Sequence, residues 1–262
     1  MGSFVPHITL GNLSTYYCSH GEGPPVFLLF NGAGCTTETW GELADHLSRL
    51  GRVVRFDARG CGKTDLPREN YTLETLATDA LALIDHLKIW KVVLVGHAFG
   101  GRVAQIFSRD HIDRTSMLII CGTGGFYPPH IDDLPPDLPR EEAFLAGFCG
   151  PKFRDEQPEA ARRLLNEIFA QRPQREAGEY RVRAIATTPT ETYWGTTPDS
   201  VPVLLLYGTE DRIGHSDNAR DLNNRLQNSQ LVFIEGAGHF AIREKPDVVL
   251  AEINTLIMEH QL

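Results

Sequence analysis

Short apolar runs alternate with amphipathic ones along most of the chain. Runs of four to five alternating or continuously apolar positions predict strands at His7–Leu10, Thr15–Ser19, Val26–Phe30, Val53–Asp57, Val92–Val95, Met117–Cys121, Val203–Tyr207 and Leu231–Ile234. The later runs are almost unbroken Val, Ile and Leu, as strands buried on both faces of a parallel sheet require. Between them, apolar residues recur at helical spacing. Glu38–Leu50 places Trp40, Leu43, Leu47 and Leu50 on one face, and Leu73–Leu87 does the same with Leu76, Leu81, Leu83, Ile84 and Leu87. Further helices are expected at Phe99–Arg109, Asn218–Gln227 and Pro246–His260, the last with proline in its first turn. This alternation predicts an α/β fold: a mostly parallel eight-stranded sheet with helices on both faces. The first two strands are close enough in sequence to form an antiparallel hairpin at one edge.

One segment breaks the rhythm. From Phe126 to Ser200 no strand pattern occurs; a proline-rich loop, YPPHIDDLPPDLPR, leads into helical patterns at Glu141–Phe148 and Glu159–Gln171. The expected organisation is a core made of residues 1–125 and 201–262, interrupted by a helical cap, residues 126–200.

Composition narrows the class. The 262 residues are 42% hydrophobic and 23% charged, with a net charge of −9. That balance suits a globular chain and argues against nucleic acid or an anionic membrane as partner. No run approaches the roughly 20 apolar residues of a membrane span, and the first residues lack a signal-peptide pattern. The five cysteines are scattered, which fits reduced thiols and a cytoplasmic location. A monomer or homodimer acting on a small molecule is expected.

The chemistry gathers at the ends of the predicted strands. KVVLVGHAFGGRVAQ runs from a strand through Gly96-His97-Ala98-Phe99-Gly100 into a helix. Its frame is that of a nucleophile elbow, G-x-S-x-G, with alanine in the central place. A glycine-rich turn alone is weak evidence of catalysis. Two further turns strengthen it: LLLYGTEDRI places Asp211 just after a strand, and LVFIEGAGHF does so with His239, followed by Phe240. Position 98, Asp211 and His239 follow the chain order nucleophile, acid, base. A fourth stretch, Asn31-Gly32-Ala33-Gly34, follows the third strand, where glycines free backbone N–H groups to face a carbonyl oxygen. A fifth, FDARGCGKTD, follows the fourth strand with Thr64 at its end, and a structural role suffices for it.

Taken together these stretches resemble the α/β-hydrolase fold, in particular its small capped esterases, enol-lactonases and carbon–carbon hydrolases. The resemblance implies that Asp211 orients His239, that His239 is the base, and that Ala98 occupies the nucleophile position. It implies an oxyanion site from the amides of Ala33 and Phe99, with Asn31, Gly32, Gly34 and Phe240 around the substrate. Asp132 or Asp133 would be the acid if Asp211 were misplaced. No cofactor and no metal is expected, since no P-loop, dinucleotide fingerprint or HExxH occurs.

Alanine cannot attack a carbonyl. Cys35, in the glycine loop, is expected to be a wall of the site rather than its nucleophile. Three readings of Ala98 stay open: a serine-to-alanine change that silences a hydrolase, a His–Asp dyad enzyme working by general-base chemistry (a lyase, cyclase or cofactor-free oxygenase), and a ligand-binding pseudohydrolase. The intact surroundings favour the first. The expected reaction is hydrolysis of an ester, thioester or lactone, with carbon–carbon cleavage next. Cap aromatics Phe126, Tyr127, Phe144, Phe148, Phe153, Phe169, Tyr193 and Trp194 suggest a medium-sized, partly apolar substrate.

Overall fold

The computed structural model describes residues 6–130, 134–135, 137–170 and 175–261. Asp132 and Asp133, the alternative acids, lie outside the described residues. Eight strands form one sheet: β1 (His7–Leu10), β2 (Leu13–His20), β3 (Val26–Phe30), β4 (Arg52–Phe56), β5 (Val92–His97), β6 (Thr115–Cys121), β7 (Val203–Gly208) and β8 (Ser229–Ile234). Their spatial order is β1-β2-β4-β3-β5-β6-β7-β8. β1, β2 and β4 pair antiparallel, and every pair from β4–β3 to β7–β8 is parallel.

Strand alternation distributes the core. On β3, Phe27 and Leu29 face one layer while Leu28 and Phe30 face the other; Val93 and Val95 on β5 oppose Val92 and Leu94 in the same way. One layer is closed by α1 (Gly41–Leu47) and by α9 (Ala241–Glu244) and α10 (Pro246–Glu259) near the C-terminus. The other is closed by α2 (Leu73–His86), α3 (Phe99–Asp110) and α8 (Ser216–Arg225). With both faces covered, the central strands are buried at every position, which is why they read as unbroken apolar runs.

The helix expected over Glu38–Leu50 is shorter and divided. A 3₁₀ turn, Thr37–Trp40, precedes α1, and the two meet at Gly41 with φ +49°. That left-handed backbone strains any residue with a side chain, so the joint favours glycine. Between β6 and β7 the chain forms α4 (Arg140–Phe148), α5 (Pro151–Glu156), α6 (Pro158–Ala170) and α7 (Arg175–Thr187). The α5 and α7 helices are additional to the sequence expectation. Helices α4, α5 and α6 share a small apolar cluster with Cys35 and Phe240 of the core. No helix among the described residues is long and apolar enough to cross a membrane.

Candidate active site

The parallel strands deliver their following loops to one edge of the sheet. There the segments after β3, β5, β7 and β8 surround a cavity of about 470 Å³. Gly32, Ala33, Ala98, Phe99, His239 and Phe240 line it, together with Cys35, His97 and Arg102. Phe144, Phe148, Ile168 and Ile185 of the α4–α7 segment close the apolar side.

The elbow is sharp. Ala98 has φ +50° and ψ −115°, a conformation that costs a residue with a side chain about 1–3 kcal/mol. The surroundings hold it there. The Ala98 N–H donates to the Cys121 carbonyl at 2.8 Å, and its own carbonyl accepts from Gly101 N–H at 3.1 Å and the Thr123 hydroxyl at 2.9 Å. Thr123 is held in turn by the buried Tyr207 hydroxyl, which donates to the Thr123 carbonyl at 2.7 Å. Gly100 is obligatory, because a Cβ there would meet the Phe30 carbonyl oxygen at 2.0 Å. Chain and helix thus pack as tightly as a nucleophile's turn requires, around a methyl group.

Asp211 and His239 meet across the β7–β8 edge. The His239 Nδ1 lies 3.0 Å and 3.2 Å from the two Asp211 carboxylate oxygens. A carboxylate only accepts, so Nδ1 carries the proton and Nε2 is the basic nitrogen. Asp211 Oδ1 also accepts from the amides of Ile213 (2.9 Å) and Gly214 (2.8 Å). Burial opposes ionisation of Asp211, but the adjacent His239 and these amides outweigh it and hold the carboxyl below its ordinary range. Gly122 leaves room for the pair, since a Cβ there would come within 2.8 Å of Asp211 Oδ2.

Ala33 and Phe99 both border the cavity, and neither amide is hydrogen-bonded within the described residues. Phe99 is the first residue of α3, so its N–H is free of the helix ladder and sits at the positive end of the helix dipole. Two expected residues are placed elsewhere. The Asn31 side chain turns away from the cavity: its Nδ2 donates to the Phe56 carbonyl at 2.8 Å and its Oδ1 accepts from the Trp40 indole at 2.6 Å. It binds loop to sheet rather than facing a substrate. Gly34, with φ +74°, makes the turn of that loop but does not line the cavity. Of the expected aromatics, Phe126, Tyr127, Phe144 and Phe148 line it. Phe153 is buried among the helices, Phe169 packs edge-on against Phe144 at 5.5 Å, and Tyr193 and Trp194 belong to the main core.

Cys35 is a wall: burial pushes its thiol up to about 12, so it is not a ready nucleophile. The turn after β4 is structural. Thr64 donates to the Asp57 carbonyl at 2.7 Å and accepts from Tyr16 N–H at 2.9 Å, while the Asp57 carboxylate takes the amides of Thr37 and Lys63.

Three further neighbours of the site escaped the sequence reading. His97 Nε2 lies 3.0 Å from the His239 carbonyl, and its ring packs on those of His239 and Phe240 at 5.0 Å. Burial first, and then the neighbouring His239, lower its pKa to about 3, so the ring stays neutral. Glu244 Oε2 accepts from the amides of Gly150 and Gly238 at 2.9 Å each, tying the His239 loop to α5. Arg102 is the third. Its helix position, four residues after Ala98, is a signal available in the sequence, whereas the other two depend on long-range contacts.

A family model described as the Alpha/beta hydrolase family matches residues 27–252. The chain belongs to the alpha/beta hydrolase family. This hydrolase-family chain is 26% identical to a proline iminopeptidase of Lactobacillus helveticus over 94% of its own length and 95% of the relative's. Among solved structures it resembles the enol-lactonase from Burkholderia xenovorans LB400, with a TM-score of 0.84, 22% identity and coverage of 97% and 100% of the two chains. A thermophilic esterase from Thermogutta terrifontis gives a TM-score of 0.82 at 24% identity, covering 95% of each.

Proposed function

We propose that this is the site of a carboxylic-ester or lactone hydrolase, silenced at its nucleophile position by Ala98. The observation that carries the reading is the strained elbow at Ala98, held at φ +50° beside a complete His239–Asp211 pair and two unengaged amides. An alanine gains nothing from that conformation. A hydroxyl there would attack a carbonyl carbon while His239 Nε2 takes its proton. The amides of Ala33 and Phe99 would receive the negative oxygen. The proton then passes to the departing alkoxide, and water repeats the sequence to release the acid. As it stands, the chain binds substrate and turns it over only at a residual rate.

The test compares the chain with Ala98→Ser on p-nitrophenyl esters and on lactones. Losing the nucleophile of a serine triad costs up to about 10⁶ in kcat, so the serine form should gain several orders of magnitude. It should also take up a serine-directed organophosphate at residue 98. No gain and no labelling would defeat the reading. A second reading rests on the His239–Asp211 pair, which is whole without any group at position 98. In it, His239 abstracts a substrate proton directly, as a lyase or cyclase base. Full activity of the alanine form, abolished by His239→Ala, would decide for it.

A further inference from the structure

The cavity wall holds one formal positive charge among its described residues, that of Arg102. It is half-buried and has no carboxylate or other hydrogen-bond partner among the described residues. Three other shielded arginines are matched by carboxylates: Arg59 with Asp79 at 2.6 Å, Arg114 with Asp85 at 2.7 Å, Arg243 with Glu167 at 2.6 Å. Arg102 instead lines the cavity beside the backbone of Gly124, whose Cβ, if present, would lie 3.6 Å from its Nη2 and 3.6 Å from the Ile213 carbonyl oxygen. A guanidinium without a partner among the described residues, set in a largely apolar cavity wall, loses hydration without compensation from them.

Its place on α3 adds a second cost. Arg102 is the fourth residue of the helix, at the positive end of the dipole, where a cation is disfavoured. Neither the contacts among the described residues nor the helix dipole favours the charge. A ligand would. Ala98 caps the start of α3 and Arg102 lies about one turn into it, and both line the same cavity. A molecule whose reacting carbonyl sits over Ala98 places a group a few bonds further on beside the guanidinium.

We propose that Arg102 is a substrate-binding residue for a carboxylate, and that the cavity takes a short-chain ester or lactone bearing a free acid group. This rests on reading the cavity as a hydrolase substrate site. The guanidinium fork suits a carboxylate through two parallel hydrogen bonds, and the amides of Ala33 and Phe99 stay available for the reacting carbonyl. The apolar side, Phe144, Phe148 and Ile168, faces the remainder of the molecule.

The experiment measures binding first, on the chain with Ala98 in place, using monoethyl glutarate and diethyl glutarate by calorimetry. The half-ester should bind about 10–100-fold more tightly, the ratio that a charge-assisted hydrogen bond of about 1.5–3 kcal/mol supports. In Arg102→Gln the ratio should fall towards one, and in Arg102→Lys, which keeps charge but not the fork, it should be intermediate. Melting curves show that each variant is folded. Equal affinities in the parent chain, no binding of the half-ester, or an undiminished ratio in Arg102→Gln would each overturn the proposal. Turnover of both esters by Ala98→Ser forms the second arm. A preserved affinity ratio with no turnover defeats the hydrolase reading and leaves the anion site standing. Turnover of both esters at equal kcat/KM, with equal affinities, does the reverse.

Discussion

Two aspartates in this chain begin with the same equipment and end with opposite chemistry. Asp57 follows β4 and Asp211 follows β7, both at the carboxyl edge of the sheet, and both are buried. Each accepts two backbone amides: Thr37 and Lys63 for Asp57, Ile213 and Gly214 for Asp211. Burial pushes the Asp57 carboxyl up, and its amides do not fully offset that. Asp211 is pulled down although burial opposes its ionisation too, and the difference is the imidazole of His239 at 3.0 Å. Amides alone stabilise a turn. An added basic ring fixes the carboxylate as an ion and, through it, orients the nitrogen that faces the cavity. A buried aspartate at a strand end is therefore not by itself a sign of catalysis; its partner decides.

The largest effect should separate the two in catalysis. In the Ala98→Ser background, Asp211→Asn should lower kcat by about 10⁴, the loss expected when the base is left in the wrong tautomer. Asp57→Asn in the same background should leave kcat within a few-fold. Steady-state kinetics of the two variants checks this, and a comparable loss from both would erase the distinction.

The next effect should separate them in stability. Asp57→Ala strands two buried amides, each costing about 1–3 kcal/mol, so a loss of about 3 kcal/mol is expected. Chemical denaturation measures it. A loss below about 1 kcal/mol would mean that water replaces the carboxylate and that the turn does not depend on Asp57.

How far the sequence discloses all this follows the same divide. The strands are legible because both faces are buried, and Asp211 and His239 are legible because each lies in the loop that follows an apolar strand. Helix α7 is not, because its buried face is Ala177, Arg181 and Ala184, which carries no apolar period. Asn31 reads as a substrate residue until its partners, Phe56 and Trp40, come together with it. His97 is an ordinary elbow position in the sequence; its contact with the His239 carbonyl spans 142 residues and no local pattern encodes it.

His97 gives a smaller, pH-dependent effect that sharpens the comparison from the base's side. Its folded pKa, about 3, lies below the ordinary 6.5, so folding favours the neutral ring. The stability it contributes is complete above about pH 6.5 and is lost as pH falls towards 3, by about 1.4 kcal/mol per pH unit. His97→Gln removes the titration while offering a donor to the His239 carbonyl. Its denaturation midpoint should fall less steeply between pH 6 and 4 than the parent's, by close to one proton. Parallel curves would show that His97 is already hydrated in the folded chain.

The smallest expected effect is one of sign, and it bears on the two aspartates directly. Asp57 has a raised folded pKa, so the stability linked to it is present below about pH 3.8 and is lost as pH rises through the folded value. Asp211 has a lowered one, so its contribution is present above about pH 3.8 and is lost as pH falls through the folded value. Asp57→Asn and Asp211→Asn each delete one of these titrations. Denaturation midpoints of the parent and both variants, taken between about pH 3 and 5, yield two difference curves. The Asp57→Asn curve should gain on the parent as pH rises; the Asp211→Asn curve should lose ground over the same interval. Two curves of the same slope would show that His239 does not set the state of Asp211. The amides and burial common to both aspartates would then govern each, and the contrast between them would disappear.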